Sequence, residues 1–474
     1  MKRILPQFDQ LAATMVARSG VPGAAVAVVA GDTAAYVRCF GLREIGRPDR
    51  VDAGTLFQLG GASQAYTTTM LAALAGDGEI GWDAPVRRVW PGFRLRDRWA
   101  SREATFRDLT AQRSGLPAYA GSELVDFGYG RAEILRRLRY LRPAAGFRAA
   151  CAPQDAVVTA AAVAAEKASG RSWARLVRTR VLDPIGDDTT TLTYREYAAA
   201  ANRAAPHRLV AGSMVSQEAA DESVFAPALG VGASVDGLVP YARLLLNGGA
   251  LGGERVAPAS MLAETLAPTT AVPAGAAGPE AAGLGWMTWG HDGRLVASAA
   301  GDLASGSSAL VSLVPDDGVA VIVLANAHPE GQILARALTK TLLDLYVRGA
   351  PQDDWYGRER ALAPGAGAAA SRGRRLPVQP PAGAAAPRPR RAYEGVFGNR
   401  YYGAVTVLPG PGDALRVRLG RGVTLRYVPW DGDTWREVDS GTAAVFAVRD
   451  GRALSVRLTL LAFDGRDGRF ARRR

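Results

Sequence analysis

Two hydrophobic patterns divide the chain. Residues 21–30 (VPGAAVAVVA) are a near-continuous apolar run, and a second short strand-like run covers 34–40. The Gly31-Asp32 pair between them has turn chemistry, so this stretch predicts two neighbouring strands. Apolar positions at helical spacing then fill 65–75, 132–140, 157–168, 173–182 and 238–246, with Gly or Pro near their ends, which predicts helices. Strand-like runs return at 308–314 and 319–325 around Pro315-Asp316-Asp317-Gly318, and a helix is predicted over 333–347. Strands at both ends with helices between them imply an α+β fold: one antiparallel sheet assembled from the two ends, with a helical region beside it.

Residues 357–391 change texture. They are dominated by Ala, Gly, Pro and Arg, with almost no large apolar residue, and such a composition reads as a linker. Beyond it, short alternating runs at 404–408, 414–419, 424–430, 434–438, 443–448 and 453–460 are separated by Gly/Asp turns, which predicts a small antiparallel barrel or sandwich. The expected organisation is therefore a domain over 1–350, a linker over 351–391 and a small all-β domain over 392–474.

Charge sharpens this picture. Of the net +12, +11 falls within 372–474, leaving the main body nearly neutral. A basic tail can bind a polyanion. Here, however, the arginines alternate with apolar residues, as on the outer face of strands, and no nucleic-acid-binding motif accompanies them. The solvated-face reading is therefore preferred and nucleic acid disfavoured. Two cysteines exclude a disulfide scaffold, and three scattered histidines offer no metal-binding spacing, so no cofactor is expected. Apolar runs are too short to cross a bilayer, and polar Gln7, Asp9 and Gln10 interrupt any leader-like segment, so a cytoplasmic protein without membrane attachment is expected. The only lysines are Lys2, Lys167 and Lys340.

A series of short motifs runs through the first 350 residues: Val21-Pro22-Gly23, Thr55-Leu56-Phe57, Trp82-Asp83, Arg113-Ser114-Gly115-Leu116-Pro117, Glu166-Lys167-Ala168-Ser169-Gly170, Pro184-Ile185-Gly186, Leu246-Asn247-Gly248-Gly249, Gly283-Leu284-Gly285-Trp286 and Val323-Leu324-Ala325-Asn326. In this order the chain resembles the serine β-lactamase-related family of class C β-lactamases, penicillin-binding proteins and kindred esterases. Its tail, with Tyr401-Tyr402-Gly403 and Trp430-x-Gly432-Asp433-Thr434, is similar to the small β domain appended to many of them. The resemblance implies a β-lactamase/penicillin-binding-protein-like antiparallel sheet with a helical domain. It also implies chemistry built on Ser-x-x-Lys, Tyr-x-Asn and Lys-Thr-Gly or His-x-Gly, with donors holding an oxyanion.

At those positions the chain departs from the pattern. The resemblance puts the nucleophile position at Gly61 and the lysine position at Gln64. Tyr-x-Asn becomes Pro153-Gln154-Asp155, and the third motif falls near Ala300-Gly301-Asp302, to within one residue. The family's common histidine before Arg-Ser-Gly-Leu-Pro is Gln112. A glycine cannot attack a carbonyl and an amide cannot take up a proton as lysine does. The expectation is a catalytically silent or strongly impaired member that binds an unidentified small molecule or protein partner through Gly61, Gln64, Gln112, Asp155 and Asp302. If those carboxylates face inward, neutral or cationic ligands are preferred. The alternative is a working hydrolase or acyltransferase whose site is rebuilt around Ser63, Cys151 or the Asp155/Asp302 pair. Ser63 lies ~200° around a helix from Gly61 and should face away from the pocket.

Overall fold

The chain begins with helix α1 (Leu5–Ser19), strands β1 (Gly23–Ala30) and β2 (Thr33–Gly41), and helix α2 (Ser63–Gly76). Helices α3 (Asp155–Ser169) and α4 (Val235–Leu246) follow. Strands β3 (Thr270–Gly275), β4 (Gly278–Ala282), β5 (Met287–His291), β6 (Arg294–Leu303), β7 (Ser307–Val314) and β8 (Val319–Ala325) come next, and helix α5 (Glu330–Arg348) closes the series. These positions come from a computed structural model, which describes residues 1–275, 278–363, 375–463 and 465–473.

The strands form one eight-stranded sheet in the order β2-β1-β8-β7-β6-β5-β4-β3, antiparallel throughout. Strand β1, early in the chain, pairs with β8, far along it, and Val26 stands opposite Val323. Strands β1 and β8 are almost wholly buried because both faces are covered. On one face Val26, Val28, Val321 and Val323 pack with Phe8 and Ala12 of α1 and with Leu334, Leu338 and Leu342 of α5. Helix α4 lies against β1 and β8 as well. A continuous apolar run, rather than an alternating one, is what burial on two faces requires.

The chain divides into two compact units. One comprises Met1–Gly92, Arg102–Ser114 and Phe147–Ala363; the other comprises Phe93–Ser101, Gly115–Gly146 and Pro364–Arg474. These boundaries differ from the expected 1–350, 351–391 and 392–474. Segments 93–101 and 115–146 belong to the second unit, a long-range association that composition does not reveal. The expected linker is also partly structured. Helix α6 (Trp355–Leu362) belongs to the first unit: Tyr356 packs with Ile333 and Ala337 of α5, and Glu359 pairs with Lys340 at 2.6 Å. Residues 364–374 of that linker lie outside the described residues.

The second unit carries a closed antiparallel barrel of eight strands: β9 (Gly395–Asn399), β10 (Gly403–Pro409), β11 (Leu415–Leu419), β12 (Thr424–Asp431), β13 (Thr434–Glu437), β14 (Ala443–Arg449), β15 (Arg452–Leu458) and β16 (Arg469–Arg472). Phe397 opposite Arg472 closes it. Alternation decides which side chains fill it: in β11, Leu415, Val417 and Leu419 are buried while Arg416 and Arg418 face out. Residues 375–391 run along this barrel, tied by Leu376 N to Gly441 O (2.8 Å), Ala385 N to Asp431 Oδ1 (2.9 Å) and Arg388 N to Tyr393 Oη (2.9 Å). Among the described residues, no helix is long and apolar enough to cross a membrane.

Candidate functional site

Gly60–Ala62 forms a single 3-10 turn that leads into α2, and β6 crosses it at van der Waals distance. A Cβ on Gly61 would stand 2.7 Å from Ala300 O and 3.7 Å from Gly301 Cα. A Cβ on Gly301 would land inside the envelopes of Leu59 O and Ala62 N. Both crossing positions therefore depend on having no side chain. Gly301 is the strand residue that must be glycine, so the glycine of the third motif maps onto it. That shifts this motif to Ala299-Ala300-Gly301, within the one-residue latitude of the sequence reading, and none of its side chains is a cation.

Helix α2 is buried all round, and its hydroxyls are absorbed by the interior. Thr67 bonds Pro227 O and the Trp173 indole, Thr69 bonds Tyr241 Oη, and Tyr66 stacks on Tyr241 with centroids 4.2 Å apart. Ser63 is fully buried, and its Oγ accepts the Val231 amide at 3.0 Å. The hydroxyl oxygen is engaged by backbone.

Gln64, one turn on from Gly61, begins a chain of amides. Gln112 Nε2 donates to Gln64 Oε1 at 3.1 Å, and Gln112 Oε1 accepts the Gln154 amide at 2.6 Å. Ser114 Oγ then donates to Gln154 Oε1 at 2.6 Å. The structure thus joins the lysine position, the histidine position and the middle of the Tyr-x-Asn position through neutral groups. Gln112 adopts φ +53°, a left-handed conformation uncommon for a non-glycine residue. It is held there by its neighbours. Arg113 and Arg148 both bond the carboxylate of Asp108, at 2.8 Å in each case, and Thr105 caps the same group from its amide at 3.0 Å. Burial alone would raise the Asp108 carboxyl, yet Arg148, the Thr105 amide and Arg113 hold it below the usual carboxylate range.

Asp155 opens α3 directly after this network, while Pro153 is exposed. The Asp155 side chain has no cationic partner among the described residues, and burial pushes it up to about 6. Glu222, a residue that sequence reasoning missed, is pushed up to about 7 by burial, then by Asp155 and Asp221. Its loop is fixed by Gln58, whose side chain bonds Ala220 O at 2.7 Å and Ala220 N at 3.0 Å. Only the fold brings this loop to α3.

Asp302 does not join them. The strand pleat turns it to the face opposite Gly301, where its Oδ1 accepts Ser308 Oγ at 2.8 Å and meets His328 Nδ1 at 2.7 Å. The carboxyl that feels the Asp155 charge is Glu222, whereas the sequence reading paired Asp155 with Asp302. Ser308 is fully buried and bonds the carboxylate and Ala327 O rather than the imidazole, so these three do not make a nucleophile-base pair. Cys151 is half-buried and burial pushes its thiol up to about 11, opposite to the shift of an activated cysteine. Among the described residues, no cluster of three or more His, Cys, Asp or Glu side chains is placed to hold a metal ion.

A central antiparallel sheet with helices on both faces, and a buried helix entered through a tight turn against a sheet strand, is the fold of penicillin-binding proteins. The octameric penicillin-binding protein homologue from Pyrococcus abyssi shares it, with a TM-score of 0.64 at 18% identity over 98% of this chain and 99% of that one. The Beta-lactamase family model matches residues 8–344, and the chain belongs to that family of serine hydrolases. It is 24% identical over 363 residues to Unguisins hydrolase ungD' of Aspergillus campestris (strain IBT 28561), covering 73% of this chain and 67% of that protein. It is 30% identical over 174 residues to Penicillin-binding protein 4 of Amycolatopsis lactamdurans, covering 35% of this chain and 43% of that protein. The chain therefore spans about two thirds of the first relative and less than half of the second.

Proposed function

We propose that this protein is a non-acylating member of its family, which works by binding a small neutral or cationic ligand against Gln64, Gln112, Asp155 and Glu222. The observation that carries this reading is the crossing of Gly61 and Ala300. Where an acyl-accepting side chain would stand there is none, and a Cβ would meet a carbonyl oxygen at 2.7 Å. The groups around it are consistent with binding: three neutral amides and two carboxyls with no cationic partner among the described residues supply hydrogen bonds and negative potential but no activated nucleophile. Labelling of the purified protein with a fluorescent penicillin and with a fluorophosphonate tests it. No covalent adduct is expected on the wild type; an adduct that disappears in Ser63→Ala or Cys151→Ala would overturn the reading.

A second reading has one observation in its favour. Two carboxyls pushed up to about 6 and about 7 are suited to exchange protons near neutrality, as a general acid and base must. In that case the protein is a hydrolase without a covalent intermediate, and the hydrolase name of the relative from Aspergillus campestris fits. Turnover of ester or amide substrates that is lost in both Asp155→Asn and Glu222→Gln would select it.

A further inference from the structure

The second unit holds a hollow of about 800 Å³, lined among others by Tyr140, Arg142, Arg400, Tyr401, Arg466 and Asp467. That is within the ~300–1,000 Å³ range of small-molecule sites.

Its floor is built before any ligand arrives. Asn399 Oδ1 accepts the amides of Tyr401 (2.8 Å) and Tyr402 (3.0 Å), and Asn399 Nδ2 donates to Arg469 O at 2.8 Å. Arg137 Nη1 donates to the carbonyls of Arg400 (3.2 Å) and Tyr401 (2.7 Å), and Tyr129 Oη donates to Tyr402 O at 3.1 Å. With its carbonyls and amides occupied, the 399–402 turn presents its side chains from a fixed backbone, which lowers the ordering cost of binding.

The charges in the hollow are unevenly satisfied. Arg466 pairs with Glu123, both almost fully buried, and the Asp467 carboxylate accepts the Arg469 amide at 2.9 Å. Arg142 and Arg400 are exposed and form no ion pair among the described residues, and the Arg400 guanidinium lies 5.4 Å over the Tyr140 ring. The Arg400 guanidinium makes no side-chain hydrogen bond among the described residues, and its N–H edge is the group that grips phosphate or carboxylate in two parallel bonds. Arginines on the outer face of the barrel, such as Arg418, stand on an exposed strand face and do not line this hollow.

We propose that this hollow is a binding site for a small molecule bearing two or more oxyanionic groups, with Arg142 and Arg400 gripping them. The chemistry is shared by phosphorylated compounds and by polycarboxylates. Calorimetric titration of the full chain at low ionic strength with inorganic pyrophosphate, and separately with citrate, tests the site. We expect one equivalent of at least one of them to bind with submillimolar affinity. Binding should weaken at least tenfold in Arg400→Gln and in Arg142→Gln, with unchanged melting temperatures, and stay unaltered in Arg418→Gln. Binding of pyrophosphate alone assigns the phosphate class, and binding of citrate alone the carboxylate class. Failure of both to bind overturns the proposal, as does binding that ignores the two hollow variants or falls equally in Arg418→Gln.

Discussion

Gln112 donates its side-chain amide to the side-chain carbonyl of Gln64 at 3.1 Å, linking the histidine and lysine positions of the family pattern through two groups that do not titrate. A proton taken from a nucleophile beside them would have no acceptor. Restoring one residue is therefore not enough. The single variant Gly61→Ser is expected to remain unlabelled by a fluorescent penicillin. The serine also overpacks the crossing with β6, at a cost of ~1–3 kcal/mol read from denaturant midpoints.

Gly301→Ala is expected to be more disruptive than any of these. Its methyl would overlap Leu59 O and Ala62 N, which are backbone atoms of the turn and have no rotamer to change. A loss above ~4 kcal/mol, or failure to recover folded protein, is the outcome for an overlap of this kind. Near-normal stability would mean that β6 and the turn are farther apart than described.

Asp108 predicts an acid-labile fold. Its folded carboxyl is held below the unfolded value, so its stabilisation is complete above the unfolded pKa and is lost as pH falls through the folded one. Urea midpoints measured downward from pH 6 should fall more steeply in the wild type than in Asp108→Asn. At neutral pH that variant should lose ~3–5 kcal/mol, because Arg113 and Arg148 keep their charges and lose their partner.

Asp155 predicts the opposite sign. Its folded pKa, about 6, lies above the unfolded value of 3.8, so it destabilises the fold increasingly as pH rises from ~4, and fully above the folded value. Asp155→Asn should be neutral near pH 4 and more stable than wild type at pH 8, by up to ~3 kcal/mol. Glu222→Gln should move the same way over a window ending about one unit higher. Thermal melts across this range check both.

Ser63→Ala should cost ~1–3 kcal/mol, the penalty for leaving the buried Val231 amide unsatisfied, and should leave ligand binding at Gln64 and Gln112 unchanged. A change in binding without a change in stability would place that hydroxyl in the site.

The parts of the molecule that were readable in advance are those whose burial is written in residue type. The run 319–325 coincides with β8, and 157–168 lies inside α3, because strands covered on two faces and buried helices need uninterrupted apolar side chains. Strand β6 escaped notice: Ala, Ser and Gly dominate it, and its extended form comes from pairing with β7 rather than from propensity. In the site, motif spacing reached Gly61, Gln64 and Gln112. It could not reach Glu222, whose meeting with α3 depends on Gln58 holding a distant loop, nor the side Asp302 takes, which a single residue of pleat reverses.

The seam of the barrel has a consequence for the second unit. Arg469–Arg472 borders β9 on one side and β15 on the other, so these four residues alone convert an open ribbon into a cylinder. Clipping them off would leave two naked strand borders, each a template for recruiting a neighbouring molecule.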